Sequence, residues 1–213
     1  MTGVRSVLAL CLAWLLAFCL GCRVESRRVA RGSGSAETKE AAQPGGGSAP
    51  WANQASAEEG EAINLERAGI HAHLLVPEGE GQSIGTYLVH IALPDGNQEI
   101  RESRDGTITG AWLEDLDHDG NVDLTVAMAS AGSGSYPTIH FFHQWRQTLQ
   151  LRPLKDLSEA QRAGYRGHDT IEVKDGILFR SFPRYQPGDP NSSPSGSSMT
   201  LRYSFTDDTW MQE

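Results

Sequence analysis

The chain has 213 residues, with 18 Lys and Arg against 27 Asp and Glu and a formal net charge of −9. The acidic excess falls on the residues after Gly60, a surface that repels nucleic acid and steers a basic protein partner towards itself. All three cysteines, Cys11, Cys19 and Cys22, lie at the N-terminus, so the rest of the chain has no disulfide framework and must be stabilised by core burial.

Residues 1–22 read as a lipoprotein-type signal peptide. Arg5 supplies a short basic region, and Val7 to Leu20 form an apolar run too short for the ~20 residues that span a bilayer. The run ends in Cys19-Leu20-Gly21-Cys22, a small residue directly before a cysteine whose sulfur can carry a diacylglycerol. Lipidation at Cys22 is the expectation, and ordinary signal cleavage with Cys22 as a bystander is the alternative. Residues 23–60 are dominated by Ser, Gly, Ala, Glu and Gln and show almost no aliphatic periodicity. Such a stretch cannot offset its chain entropy by burial, and is expected to be a disordered tether with a reach of roughly 35 Å. Together these predict a periplasmic protein anchored at the outer membrane through Cys22.

Residues 61–213 have the length of one domain. Period-2 alternation recurs along it between turn signals. Tyr87, Val89, Ile91 and Leu93 share one face of a strand that ends at Pro94-Asp95-Gly96. A second strand leads to Asp105-Gly106, from which Thr107 to Leu113 returns. Val122, Leu124, Val126 and Met128 line the next, and Ile139, Phe141 and His143 the one after, with Phe142 facing the other way. Ile177 to Phe182 and Met199 to Phe205 read as two more. Only Asp156 to Ala163 looks helical, with Ser158 and Gln161 as a capping box. The fold class is therefore all-β, an antiparallel sandwich of about eight strands with one or two short helices.

Asp115, Asp117, Asp119, Asn121 and Asp123 place oxygen ligands at alternate positions around Gly120, the pattern of a hard-cation loop. Val126 stands where an EF-hand needs its bidentate Glu, and a strand follows, so an EF-hand is excluded. A short calcium loop and an Asx-rich turn whose carboxylates accept backbone N–H groups both fit. No cofactor is required, and a structural Ca2+ is the one ion the pattern suggests.

After the next strand comes Ser130-Ala131-Gly132-Ser133-Gly134-Ser135-Tyr136-Pro137. No helix follows, which removes a phosphate cradle, and the spacing is not that of a nucleophile elbow. Pro137 holds Tyr136 extended, so a rigid Tyr beside Ser hydroxyls makes a preorganised contact loop, against the alternative of a flexible hairpin loop. The intervening strand, about 26 Å long at ~3.3 Å per residue, separates this loop from the acidic one. His71 and His73 share a strand face, whereas His140 and His143 do not, and the sequence offers no third metal ligand beside the first pair. No Ser/His/Asp or Cys/His constellation has local support, so an enzyme is not expected.

Four blocks in one order, DLDHDGNVDL at 115–124, SAGSGSY at 130–136, GYRGHD at 164–169 and FPRYQPGDPNSSPSG at 182–196, resemble the family of periplasmic inhibitors of invertebrate-type (i-type) lysozyme. EGEGQSIGTY at 78–87 is similar to a fifth, with Gly81 and Gln82 where the family would have Pro and Arg. The resemblance covers about residues 75 to 206. It implies an often dimeric antiparallel sandwich whose S-G-x-Y loop, here Ser133-Gly134-Ser135-Tyr136, enters the lysozyme cleft, with Ser130 and Gly132 in the same loop. The 164–169 and 187–196 segments read either as further contact loops or as turns. Two other classes compete: a calcium-dependent extracytoplasmic adhesion module resting on the acidic loop, and a metal-dependent hydrolase built on His71 and His73.

Overall fold

The computed structural model describes residues 60–81 and 83–213; the signal peptide, Cys22 and almost all of the tether lie outside them. Twelve strands form three four-stranded antiparallel sheets, each a simple meander. The first comprises β1 (Ala62–Arg67), β2 (Ile70–Leu75), β3 (Ile84–Leu93) and β4 (Gly96–Asp105). The second comprises β5 (Thr107–Glu114), β6 (Asp123–Ala129), β7 (Pro137–Trp145) and β8 (Thr148–Arg152). After the one-turn helix α1 (Glu159–Arg162), the third comprises β9 (Thr170–Lys174), β10 (Ile177–Phe182), β11 (Met199–Ser204) and β12 (Thr209–Gln212).

The all-β class holds, with twelve strands in place of about eight. The second sheet is covered on both faces. Leu113, Leu124, Val126, Met128 and Phe142 pack with Leu74, Val89 and Ile91 of the first sheet. Trp112, Ala127 and Phe141 point the other way and pack with Leu178, Phe182, Leu201 and Trp210 of the third. This explains why β6 is buried at six consecutive positions, Asp123 to Met128, although only its alternate residues read as a core face. A strand between two layers has no solvent side on which to place polar residues. Each large apolar side chain fully buried in these cores contributes ~1.5–3 kcal/mol.

The expected faces of β3 and β7 are observed, with Tyr87, Val89 and Ile91 buried and Phe141 and Phe142 in opposite cores. The return from Gly106 is not a hairpin. β4 closes the first sheet and β5 opens the second, so Gly106, at φ +112°, is the corner between layers. Its N–H donates to Ser83 O at 2.7 Å, and its own carbonyl accepts from buried Arg104 Nη1 at 2.6 Å. α1 forms where expected, with the reciprocal Ser158–Gln161 capping box in place.

Candidate functional site

The Ser130–Tyr136 loop joins β6 to β7 and opens at the end of the second sheet. Its neck is closed by Ser130 N–H donating to Tyr136 O at 2.9 Å, and by Tyr136 N–H donating to Ser130 Oγ at 3.0 Å. Within it, Ser135 N–H reaches Gly132 O at 2.9 Å, and Ser135 takes a left-handed φ of 42°. Gly134 is buried, because a Cβ there would meet the Tyr136 ring at 2.5 Å and Arg166 O at 3.0 Å. Tyr136 stays half exposed, with its ring edge-on to Tyr165 at 5.7 Å. Ala131, Gly132 and Ser133 form the exposed tip.

Two further segments converge on this loop, and sequence spacing could not show that. His168 N–H donates to Gly134 O at 2.6 Å, and Asn191 Nδ2 donates to Ser133 O at 2.8 Å. Arg166 donates to Asp189 O at 2.8 Å and stacks over Tyr185 at 5.0 Å, tying the two supporting segments to each other. Behind them, Tyr165 donates to Asp169 Oδ2 at 2.7 Å, and Arg180 bridges Asp169 Oδ1 at 2.6 Å and the Tyr165 hydroxyl at 2.8 Å. Burial pushes up the pKa of both Tyr165 and Asp169, and Arg180 opposes the shift at the acid. The 164–169 and 187–196 segments are thus both turn chemistry and part of one platform. The signal available was the clustering of Gly164, Gly167 and Gly188, three residues that all take positive φ.

Asp189 fastens the outer support. Its carboxylate accepts from Gln186 N–H at 2.7 Å, Ser195 N–H at 2.8 Å and Ser195 Oγ at 2.9 Å. The backbone donors of Ser195 and Gln186 hold its pKa below the ordinary value, so this fastening is present at neutral pH and is lost as pH falls through the lowered pKa. Asp189→Ala should therefore speed amide hydrogen exchange at Gln186 and Ser195 while leaving the central strands protected. Unchanged exchange at those two amides would refute the fastening.

The acidic loop lies at the other end of β6, as expected. Asp115 accepts from the N–H groups of Asp119 and Gly120, each at 3.1 Å, and Asp119 accepts from Asn121 N–H at 2.8 Å. These are Asx-turn bonds. One carboxylate oxygen each from Asp115, Asp117 and Asp119 also lie within 4.8 Å of one another. Asp123 is separate from that set. It is fully buried, accepts from Leu116 and Gln144 N–H at 3.2 and 3.1 Å, and faces His143 Nδ1 at 3.3 Å. Asp117 meets the same His143 nitrogen at 3.1 Å. The loop's five expected ligands are therefore divided between an outer turn and an inner Asp117–His143–Asp123 cluster. Counting symmetrically from Ser133 at the tip of the β6–β7 loop would have placed His143 opposite Asp123.

His71 and His73 lie on one exposed face of β2, as expected. His140 is half-buried at the edge of the core: its Nδ1 sits 2.7 Å from the Tyr87 hydroxyl, and burial lowers its pKa.

Neither the curated proteins nor the solved structures contain a match to the chain. A family model described as periplasmic lysozyme inhibitor of I-type lysozyme matches residues 58–162, which include the contact loop and the acidic loop. The two supporting segments lie beyond that match. A family of inhibitors implies a non-enzymatic, periplasmic protein with lysozyme as its partner. Over residues 58–162, just under half of its length, the chain matches the family of periplasmic inhibitors of I-type lysozyme.

Proposed function

We propose that the chain blocks an I-type lysozyme by inserting the Ser130–Tyr136 loop into its active-site cleft, from a position tethered to the outer membrane through lipidated Cys22. The observation that carries this reading is the loop's preorganisation. Its backbone is pinned at Ser133 and Gly134 from two directions, while the Ser133 side and the Tyr136 ring face solvent. A loop fixed before binding loses little conformational entropy on docking. A lysozyme cleaves with two carboxyl groups flanking the scissile bond, one of them protonated as general acid. Ser hydroxyls and a Tyr phenol are donors suited to those groups, and the bulk of the loop excludes the sugar. The acidic domain adds attraction for a basic enzyme.

The test is lysis of peptidoglycan by I-type, c-type and g-type lysozymes with and without the protein. Selective loss of I-type activity is expected at near-stoichiometric protein. Ser133→Ala combined with Tyr136→Ala should abolish inhibition, since a central aromatic anchor alone contributes about 2 kcal/mol, or roughly 30-fold in affinity. Full inhibition by that double variant, folded by circular dichroism, would sink the loop assignment.

The calcium-dependent adhesion module has weaker support, because Asp115 and Asp119 are already engaged with backbone N–H groups. A Ca2+ held by Asp115, Asp117 and Asp119 would be structural. It would sit at the far end of β6 from the contact loop, stabilising the β5–β6 connection without touching lysozyme.

A further inference from the structure

The face of the first sheet turned away from the core carries an arrangement that inhibition does not use. The antiparallel register sets Asn64, His73, His90 and Glu99 side by side across all four strands, each directly opposite the next. Two residues along β2, His71 stands opposite Glu66 on β1. Every one of these side chains is exposed, while Ile63, Leu65, Ala72, Leu74, Val89 and Ile91 alternate with them into the core. The sheet therefore presents three imidazoles on a rigid frame.

In each of the three, Nδ1 faces a side-chain oxygen from a neighbouring strand. His73 Nδ1 lies 2.7 Å from Asn64 Oδ1, His90 Nδ1 lies 3.4 Å from Glu99 Oε2, and His71 Nδ1 lies 3.6 Å from Glu66 Oε2. An amide oxygen only accepts, so in the neutral imidazole of His73 this contact favours the tautomer with the proton on Nδ1 and the lone pair on Nε2. No Nε2 of the three has a hydrogen-bond partner among the described residues. The His73 and His90 rings stand nearly parallel, 23° apart, with centroids 6.5 Å from each other. An oxygen behind Nδ1 and an open Nε2 in front is how imidazole is prepared for a metal, because the rear acceptor fixes the tautomer and raises ligand basicity.

We infer that this face binds a divalent cation of the borderline class, such as Zn2+ or Cu2+, through Nε2 of His73 and His90, with His71 as the third imidazole. Nitrogen ligands select these ions over Ca2+ and Mg2+, which require oxygen shells. The three ring nitrogens do not yet converge within 4.8 Å of one another, so metal–nitrogen distances of about 2.0–2.1 Å require the exposed rings to turn towards a common point. Glu66 and Glu99 supply negative charge beside the ion. The site is separate from the acidic loop.

The test is calorimetric titration of the full chain with Zn2+ at neutral pH, after alkylation of its N-terminal cysteines, whose thiolates would bind the same ion. One saturable site is expected. His73→Ala and His90→Ala should each weaken it at least tenfold, and Asn64→Ala by about tenfold, as loss of an acceptor behind a ligating imidazole does. Asp115→Asn with Asp119→Asn should leave the affinity unchanged, and circular dichroism checks that each variant is folded. Absence of saturable Zn2+ binding overturns the assignment, as does binding that survives both histidine substitutions or disappears with the acidic-loop pair.

Discussion

Gly167→Ala should cost about 3 kcal/mol of stability and weaken lysozyme inhibition at least tenfold, although residue 167 is buried and cannot touch the enzyme. Gly167 takes φ +87°, where an alanine pays about 1–2 kcal/mol. The larger part of the cost is steric. A Cβ at this position would fall on the Gly134 carbonyl oxygen, with the carbonyl carbon at 2.8 Å and Cα at 3.3 Å. All of these are backbone atoms, so no rotamer change relieves the contact. The segments must separate, which breaks the His168 N–H bond to Gly134 O and releases the contact loop. The loop would then regain the conformational freedom that preorganisation had removed, and affinity falls accordingly.

Gly188→Ala provides the control. That glycine is also left-handed, at φ +93°, but nothing lies within 4 Å of where its Cβ would be. It should lose only the backbone contribution of about 1–2 kcal/mol. Thermal unfolding of both variants, beside a lysis assay, separates conformational strain from the close approach. Equal stability losses in the two would mean that the Gly134–Gly167 contact is unimportant. Retained inhibition in a clearly destabilised Gly167→Ala would mean that the platform does not set the loop.

What could be read from the sequence was what depends on local periodicity. The faces of β3 and β7, the α1 capping box and the contact loop between two strands all follow from side-chain alternation or a few adjacent residues. What escaped depends on how layers stack. The β1–β2 hairpin turns at Ala68-Gly69, both at positive φ, a pair that carries the Gly of such a turn but not the usual Asn or Asp before it. Gly106 reads as a hairpin turn because glycine permits either a hairpin or a corner. Only the burial of both faces of β5–β7 requires the corner. The candidate site was legible in the same proportion. Ser130 to Tyr136 stood out as a unit, while the partners that pin it arrive from 34 and 58 residues away, in the segment leading into β9 and in the β10–β11 connection. His90 likewise joins His73 only through a strand register that the long β2–β3 connection leaves open in sequence.

Asp123 should show the opposite pH behaviour from a surface carboxylate. Its side chain is fully buried, and desolvation raises its pKa from 3.8 to about 6, against the pull of the Gln144 and Leu116 N–H groups. Between those two values the folded chain binds more protons than the unfolded one, so this group's contribution to stability falls as pH rises from about 4 to 6. Asn at position 123 keeps one acceptor oxygen but turns an NH2 towards a backbone donor, a mismatch of about 1–3 kcal/mol. Asp123→Asn should therefore be less stable than the parent near pH 4. The deficit should narrow by on the order of 2 kcal/mol by pH 7, because only the parent pays for ionising a buried carboxyl. Denaturant unfolding of the pair across this range decides the matter. A deficit that instead widens with pH would show that the His143 imidazolium and the two N–H donors favour the charged carboxylate more than burial opposes it, and the inner cluster would then be an ion pair.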